Sequence, residues 1–103
     1  MYELEFLPAA LRDLTELALY IRDSLHNPVA AERLTVELVQ AAEAARAFPY
    51  AAPAYLPVRP LRREYRRLNV KNYAMFYWVE PEAERIVVAR VIYAKRELSE
   101  LLE

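Results

Sequence analysis

The spacing of apolar residues predicts one strand followed by two helices in the first half of the chain. Residues 2–7 alternate between apolar and acidic side chains, a pattern typical of a half-buried strand. Over residues 9–25 the apolar positions recur at intervals of three and four, which predicts an amphipathic helix. Residues 26–28 interrupt this pattern, and Asn27 is a good N-cap for a second helix over about residues 28–48. So short a break predicts that the two helices form an antiparallel hairpin.

The second half of the chain has the pattern of strands. Four prolines in residues 49–60 predict an extended, ordered loop. Three predicted strands follow, over residues 64–70, 73–79 and 85–93, and two short turns connect them as a meander. The predicted fold class is therefore α+β: a small curved antiparallel sheet of order β-α-α-β-β-β, with the helical hairpin on one face and a short closing helix over residues 95–103. The 103 residues are expected to form a single domain.

A two-residue turn at Lys71 and Asn72 would set the register of the sheet, and so decide which residues share a face. It pairs Val70 with Tyr73, and the apolar face is expected to continue under the helices as far as Ile92. Asn72 is the residue expected to take a positive φ angle. The opposite face mixes cations, an amide and aromatic rings, which is typical of an open binding surface. Its members are Tyr65, Arg67, Asn69, Ala74, Phe76, Trp78, Ala89 and Tyr93.

Positive charge is concentrated in residues 59–71, which hold six of the fourteen Lys and Arg residues and one acid. This segment has a net charge of five positive in a protein whose overall net charge is −1. Such a patch attracts phosphate groups or an acidic protein surface. A charge run is also the ordinary solvated face of a small protein, so charge alone leaves both interpretations open.

Composition excludes several functional classes. The chain has no Cys and one His, which excludes disulfides, thiol chemistry and the common His-rich metal sites, so no metal or cofactor is expected. It has no Gly, which excludes the glycine-rich loops that hold nucleotide phosphates. No apolar run approaches the ~20 residues of a membrane helix, and the acidic N-terminus is unlike a signal peptide. We therefore expect a cytoplasmic protein with no membrane partner.

Several short segments, each degenerate alone, occur in a characteristic order and spacing. They are residues 10–14, 20–21, 27–34, 48–49, 65–77 and 89–97. In these segments the chain resembles the RelE/ParE superfamily of toxins from type II toxin–antitoxin (plasmid stabilisation) systems, over essentially its whole length. The resemblance implies a protein that inhibits growth when free and that a cognate antitoxin neutralises.

The resemblance implies one of two targets. ParE-like members inhibit DNA gyrase, whereas RelE-like members cleave mRNA on the ribosome without a metal ion. In the cleaving members a basic residue follows the Tyr that opens the middle strand of the meander, and here that position is Ala74. The closing segment has Leu102 where those members often have a Tyr. These departures favour a gyrase inhibitor over an endonuclease, and a non-toxic RNA- or protein-binding module on the same fold is a third hypothesis.

The resemblance and the charge pattern together assign residues to the site. If the chain is an endoribonuclease, its expected catalytic residues are Arg67, Tyr93 and Arg96. The two arginines would stabilise charge on the phosphate, and Tyr93 would donate a proton. The residues expected to bind the target or its phosphate are Arg63, Arg67, Asn69, Lys71, Lys95 and Arg96. The sequence assigns no residue to antitoxin binding.

Overall fold

The computed structural model describes residues 1–96 and 99–103, and it has the α+β class that the sequence predicts. In chain order the elements are β1 (Glu3–Phe6), α1 (Pro8–Leu19), a π-helical segment (Tyr20–Ser24), α2 (Pro28–Ala45), β2 (Arg66–Val70), β3 (Tyr73–Glu80), β4 (Arg85–Tyr93) and α3 (Ser99–Leu102). The strands form one curved sheet in the order β1-β4-β3-β2, and the two long helices pack on one of its faces. Two residues of the predicted closing helix, Glu97 and Leu98, lie outside the described residues.

The sheet is mixed rather than wholly antiparallel, which corrects one part of the predicted architecture. Strands β2, β3 and β4 form the antiparallel meander with the predicted pairing of Val70 with Tyr73. Strand β1, however, pairs with β4 in parallel. The long loop after α2 explains this, because it returns the chain so that β2 runs in the same direction as β1. Two hairpin turns later β4 has that direction again, and β1 can join it only in parallel.

A β-bulge in β4 exchanges the faces of its last residues. The register shifts between Phe76 and Tyr77, so that Ala89 on β4 is left without a partner in the ladder. Beyond the bulge Val91 packs under the helices and Ile92 faces the other side. The predicted positions of Ile92 under the helices and of Tyr93 on the opposite face are therefore both wrong. Because Val91 and Ile92 are both apolar, the alternation of apolar and polar residues gave no sign of the extra residue.

The main core fills the space between the helices and the sheet. The hydroxyl of Tyr77 lies in it and donates a hydrogen bond of 2.7 Å to the carbonyl of Pro49, which fastens the proline-rich loop to the core. The other fully buried side chains of this core are Ala10, Leu38, Ala42, Met75, Ile86 and Val88. They come from both helices, β3 and β4, so the core joins the elements that the sequence pattern placed in contact.

The face that was predicted to be an open binding surface is partly covered. Its apolar residues form a second, smaller core. Tyr65, Ala74 and Phe76 are at most 4% exposed there. The partly buried residues that cover them include Leu7, Tyr55, Leu61, Leu101 and Leu102. The alternation along β3 identified this face correctly, but it carried no information about segments from elsewhere in the chain that fold over it.

Residues 53–55 close the outer edge of β2. The amide of Tyr55 donates to the carbonyl of Tyr65 at 2.8 Å, and the amide of Arg67 donates to the carbonyl of Pro53 at 3.0 Å. The loop is thus ordered, as its prolines predict, because it pairs with the sheet as a short additional strand.

Three turn residues take left-handed backbone angles without being glycine. In the β2–β3 turn this residue is Lys71, with φ of 55°, and not Asn72 as predicted. The other two are His26, with φ of 52°, and Glu84, with φ of 50°. A left-handed residue other than glycine costs roughly 1–2 kcal/mol. In a chain without glycine, packing of the adjoining elements must offset that cost.

Candidate functional site

The sheet separates the predicted site residues into two groups. On the side of the second core, the guanidinium of Arg67 lies 5.8 Å from the centre of the Phe76 ring, and its Nε donates to Oδ1 of Asn69 at 2.9 Å. On the helix side, the ring of Tyr93 meets that of Tyr73 edge-on, with centroids 5.7 Å apart. Arg67 and Tyr93 therefore face opposite sides of the sheet.

Arg63 belongs to the first group and is held away from Tyr93. Its guanidinium lies 4.0 Å over the ring of Trp78, whose indole N–H donates to the Glu80 carboxylate at 2.8 Å. Trp78 is five residues beyond Tyr73 on β3, which corresponds to roughly 16 Å along a strand. The Trp78 indole, followed by the guanidinium of Arg85, holds the pKa of Glu80 below its ordinary value.

The basic segment before β2 is held by Glu103. The Glu103 carboxylate accepts the amide N–H of Arg62 at 2.7 Å and the hydroxyl of Tyr65 at 3.2 Å. The Arg59 guanidinium donates to the main-chain carbonyl of the same residue at 2.7 Å. The hydrogen bond from the Arg62 amide is the main reason that the pKa of this carboxyl lies below its ordinary value. Glu103 therefore fastens the basic segment to the end of the chain and places a carboxylate against it.

A groove of about 790 Å³ opens on the helix side, where the end of the helical hairpin meets the β2–β3 turn. Its walls carry three tyrosines, Tyr20, Tyr73 and Tyr93, and two cations, Arg33 and Lys71. The three tyrosines also line an adjoining cleft that contains Arg96. Two predicted site residues, Lys71 and Tyr93, thus share one groove, and Arg96 lies beside it.

The π-helical segment builds one wall of this groove. The sequence pattern predicted an α-helix to residue 25, but the amide of Leu25 bonds to the carbonyl of Tyr20 at 3.2 Å, five residues back. This wider turn keeps Ile21 in the core and leaves Tyr20 54% exposed at the groove. Single π-helical turns within helices are rare and occur frequently at functional sites.

The groove has a small excess of positive charge. The ammonium of Lys71 lies 3.9 Å from a carboxylate oxygen of Glu37, and both side chains are partly exposed. Among the side chains of residues 1–96 and 101–103, no carboxylate forms an ion pair with Arg33. The groove therefore offers one cation without an acidic partner, and a second whose partner is at the limit of contact.

Burial raises the pKa of the Tyr73 hydroxyl above its ordinary value, and the nearby Tyr20 and Tyr93 raise it further. Tyr73 is therefore a neutral phenol at pH 7. It can donate and accept hydrogen bonds and can stack, but it is unsuited to act as a base.

Alkaline pH is expected to destabilise the fold through its buried tyrosines. Burial raises the pKa values of Tyr65, Tyr73 and Tyr77 above the ordinary value for tyrosine, about 10, so the unfolded chain loses these protons first as pH rises. Their contribution to the free energy of unfolding is complete below about pH 10 and is lost progressively above it. Urea unfolding at a series of pH values would measure this slope, and Tyr77→Phe should reduce it. A stability that rises above about pH 10 would contradict the expectation.

The remaining predicted positions lie outside the groove. Lys95 is exposed in the turn after β4. Ala74 is fully buried, and Leu102 is half-buried in the second core. Sequence reasoning missed Tyr20 and Arg33, which lie on different helices. The helix break at residues 26–28 was the signal from which their proximity could have been predicted, because it places the end of one helix beside the start of the next.

Two classes of site are absent from the described part of the chain. No three His, Asp or Glu side chains in it are grouped so that they could hold a metal ion. None of its helices is both long and apolar enough to cross a membrane.

Comparison with known proteins identifies the family. The model for the ParE toxin of the type II toxin–antitoxin system parDE matches residues 4–98. The fold is similar to a chain of the chromosomal ParDE toxin–antitoxin system from P. aeruginosa, with a TM-score of 0.73, 14% identity, and coverage of 92% of this chain and 98% of that one. No curated protein matches in sequence.

Two RelE-type structures are also similar. The toxin–antitoxin complex RelBE2 from Mycobacterium tuberculosis has a TM-score of 0.62 and 23% identity, with coverage of 89% of this chain and 96% of that one. The isolated RelE toxin from E. coli has a TM-score of 0.56 and 19% identity, with coverage of 98% and 93%. At these identities the likeness concerns the fold. Because the family model matches nearly its whole length, the chain belongs to the ParE toxin family of type II toxin–antitoxin systems.

Proposed function

We propose that this toxin inhibits DNA gyrase by binding, without cleaving RNA. The observation that carries the proposal is the separation of the residues expected for cleavage. Arg67 lies against Phe76 on one side of the sheet, and Tyr93 lies against Tyr73 on the other. A phosphate held by Arg67 would be out of reach of Tyr93, because proton transfer requires heavy atoms about 3 Å apart.

The position of the missing cation supports the same conclusion. In RNA-cleaving members a basic residue is expected at Ala74, which here is fully buried among apolar side chains. A cation at this position would be covered by the residues that close the second core. The match to a ParE model adds support, since the resemblance implies gyrase as the target of ParE-like members.

We further propose that a cognate antitoxin covers part of the helical hairpin. Solved relatives include the RelBE2 complex and the intact E. coli RelBE complex. Several large apolar side chains are exposed along α1 and α2 of this chain. They are Leu11, Leu19, Val29, Val36 and Val39. Binding of a partner would remove this apolar surface from water, and each Å² buried would favour association by about 25 cal/mol.

A supercoiling assay tests the gyrase proposal. The purified protein should block supercoiling of relaxed plasmid by gyrase, and the triple variant Arg67→Ala, Tyr93→Phe, Arg96→Ala should retain at least half of that inhibition. The same preparations should leave ribosome-bound mRNA intact. Because Tyr93 and Arg96 line one cleft, RNA cleavage is the competing activity. Codon-phased mRNA cuts that the triple variant loses, with no effect on gyrase at saturating protein, would establish it instead. An absence of both effects would support a non-toxic binding module.

A further inference from the structure

The groove at the end of the helical hairpin combines aromatic rings with cations, and we propose that it binds a nucleotide unit, a planar base with its phosphate. The proposal goes beyond gyrase inhibition. It concerns a surface on the helix side of the sheet, away from Arg67, and it does not depend on which target the toxin has.

The aromatic part of the groove suits a base. Tyr73 and Tyr93 meet edge-on from neighbouring strands, and Tyr20 contributes a third ring from the helical wall. Tyr20 is 54% exposed and Tyr93 is 38% exposed, so ring surface is available to a ligand. Bases of any identity stack on such rings, because every base has a π face. The three hydroxyls and the Asn72 amide can form hydrogen bonds with base edges.

The charged part of the groove suits a phosphate. Arg33 has no carboxylate partner within the described ranges, and the contact of Lys71 with Glu37 is long, at 3.9 Å. An incoming phosphate can therefore engage one cation directly and compete with a carboxylate for the other. Without glycine-rich loops, side chains rather than backbone amides would hold the phosphate.

The size and construction of the groove support a ligand site. Its volume of about 790 Å³ lies in the range of small-molecule sites, 300–1,000 Å³. The wall that presents Tyr20 is the π-helical segment, and the neighbouring His26 has a left-handed backbone. A rare type of helical turn thus presents Tyr20 to the groove.

Binding measurements with AMP, adenosine, inorganic phosphate and a short oligodeoxyadenylate test the proposal. Calorimetry gives the affinities, and NMR chemical shifts identify the residues affected. The test variants are Tyr20→Leu and Arg33→Gln, both at exposed helical positions. Their matched controls are Tyr50→Leu, an equally exposed tyrosine of the loop, and Arg12→Gln, an exposed arginine of α1.

AMP is expected to bind more tightly than adenosine or phosphate alone. Tyr20→Leu should weaken AMP binding about tenfold, the effect of losing one stacking ring. Arg33→Gln should also weaken AMP roughly tenfold while leaving adenosine unchanged, since only AMP carries the charge. Both controls should bind like the parent. If the oligonucleotide binds more tightly than AMP, the natural ligand is a nucleotide within a nucleic-acid chain. If AMP binds more tightly, the natural ligand is a free nucleotide.

Three results would overturn the proposal. One is no binding of either AMP or the oligonucleotide. Another is equal losses in the test variants and their controls. The last is that the nucleotide ligands leave the chemical shifts of Tyr20 and Tyr93 unchanged while a protein partner changes them. That result would make the groove a peptide-docking surface. None of these results would affect the gyrase proposal, because the supercoiling assay measures that activity separately.

Discussion

Replacing Asp13 by alanine is expected to lower the free energy of unfolding by about 3 kcal/mol. The Asp13 carboxylate accepts hydrogen bonds from the Arg90 guanidinium at 2.7 and 2.9 Å, and from the amide of Val91 at 2.9 Å. Strand β1 pairs with β4 only as far as Val88, so this carboxylate satisfies an amide on the edge of β4 that β1 no longer covers. The Asp13 side chain is 11% exposed, and that of Arg90 is 26% exposed.

The size of this effect follows from what the substitution leaves behind. Arg90 would keep its charge in a largely buried position, and the Val91 amide would lose its acceptor. Arg90 also donates to the carbonyl of Leu101 at 2.7 Å, so the same ion pair connects α1, β4 and α3. Urea denaturation would measure the change in the free energy of unfolding. In thermal unfolding, the Tm should fall by roughly 12 °C or more.

Asp23→Ala is the control for this prediction. Asp23 also pairs with an arginine, Arg22, but the two side chains are 60% and 55% exposed, so its loss should leave the free energy of unfolding nearly unchanged. Equal effects of the two substitutions would show that the Asp13 pair contributes no more than a surface contact. The double variant Asp13→Leu, Arg90→Met should be more stable than Asp13→Ala, because it leaves no unpaired charge.

Ala74→Arg, which supplies the basic residue of RNA-cleaving members, is expected to unfold the protein rather than to create a nuclease. Ala74 has no exposed surface and packs in the second core with Phe76 and Ile92. Burying an unpaired guanidinium there should cost about 4 kcal/mol or more, a large part of the stability of a small domain.

Circular dichroism and a ribosome-dependent mRNA cleavage assay would check this result together. Asn72→Arg is the matched control, since it adds the same charge at an exposed turn position two residues away and should leave the fold intact. A folded Ala74→Arg variant that cuts mRNA would show that the second core opens readily, and it would revive the endonuclease hypothesis.

The elements and the strand register could be predicted because they depend on local periodicity. The alternation along β3 and the turn at Lys71 and Asn72 were enough to pair Val70 with Tyr73. The bulge at Ala89 was not predicted, because the apolar pairs on its two sides, residues 87–88 and 91–92, fit either register. The second core was not predicted for another reason. The local sequence around Ala74 and Phe76 does not indicate that residues 101–102 pack over them.

The site was only partly predictable for a similar reason. Lys71 and Tyr93 were named from charge and resemblance, and they share the groove. Tyr20 and Arg33 were not named, because their proximity depends on the π-helical segment. A single wider turn does not alter the three- and four-residue spacing of the apolar residues that precede it. Arg67 was grouped with Tyr93 because regular alternation puts them on one face, whereas the bulge at Ala89 moves Tyr93 to the helix side.

The pairing of residues 53–55 with β2 determines where another chain can extend this sheet. The segment already occupies hydrogen-bonding groups on the outward edge of β2, and Pro53 and Pro57 on and beside it have no amide to offer a further strand. Growth of a fibre through successive sheets requires two free edges on each molecule. At the other end of the sheet Arg46 occupies the residue before β1, because its carbonyl accepts the Tyr2 amide and its side chain donates to the Tyr2 carbonyl. Both edges are therefore partly blocked within the described residues, which disfavours edge-to-edge association even when the toxin accumulates without its partner.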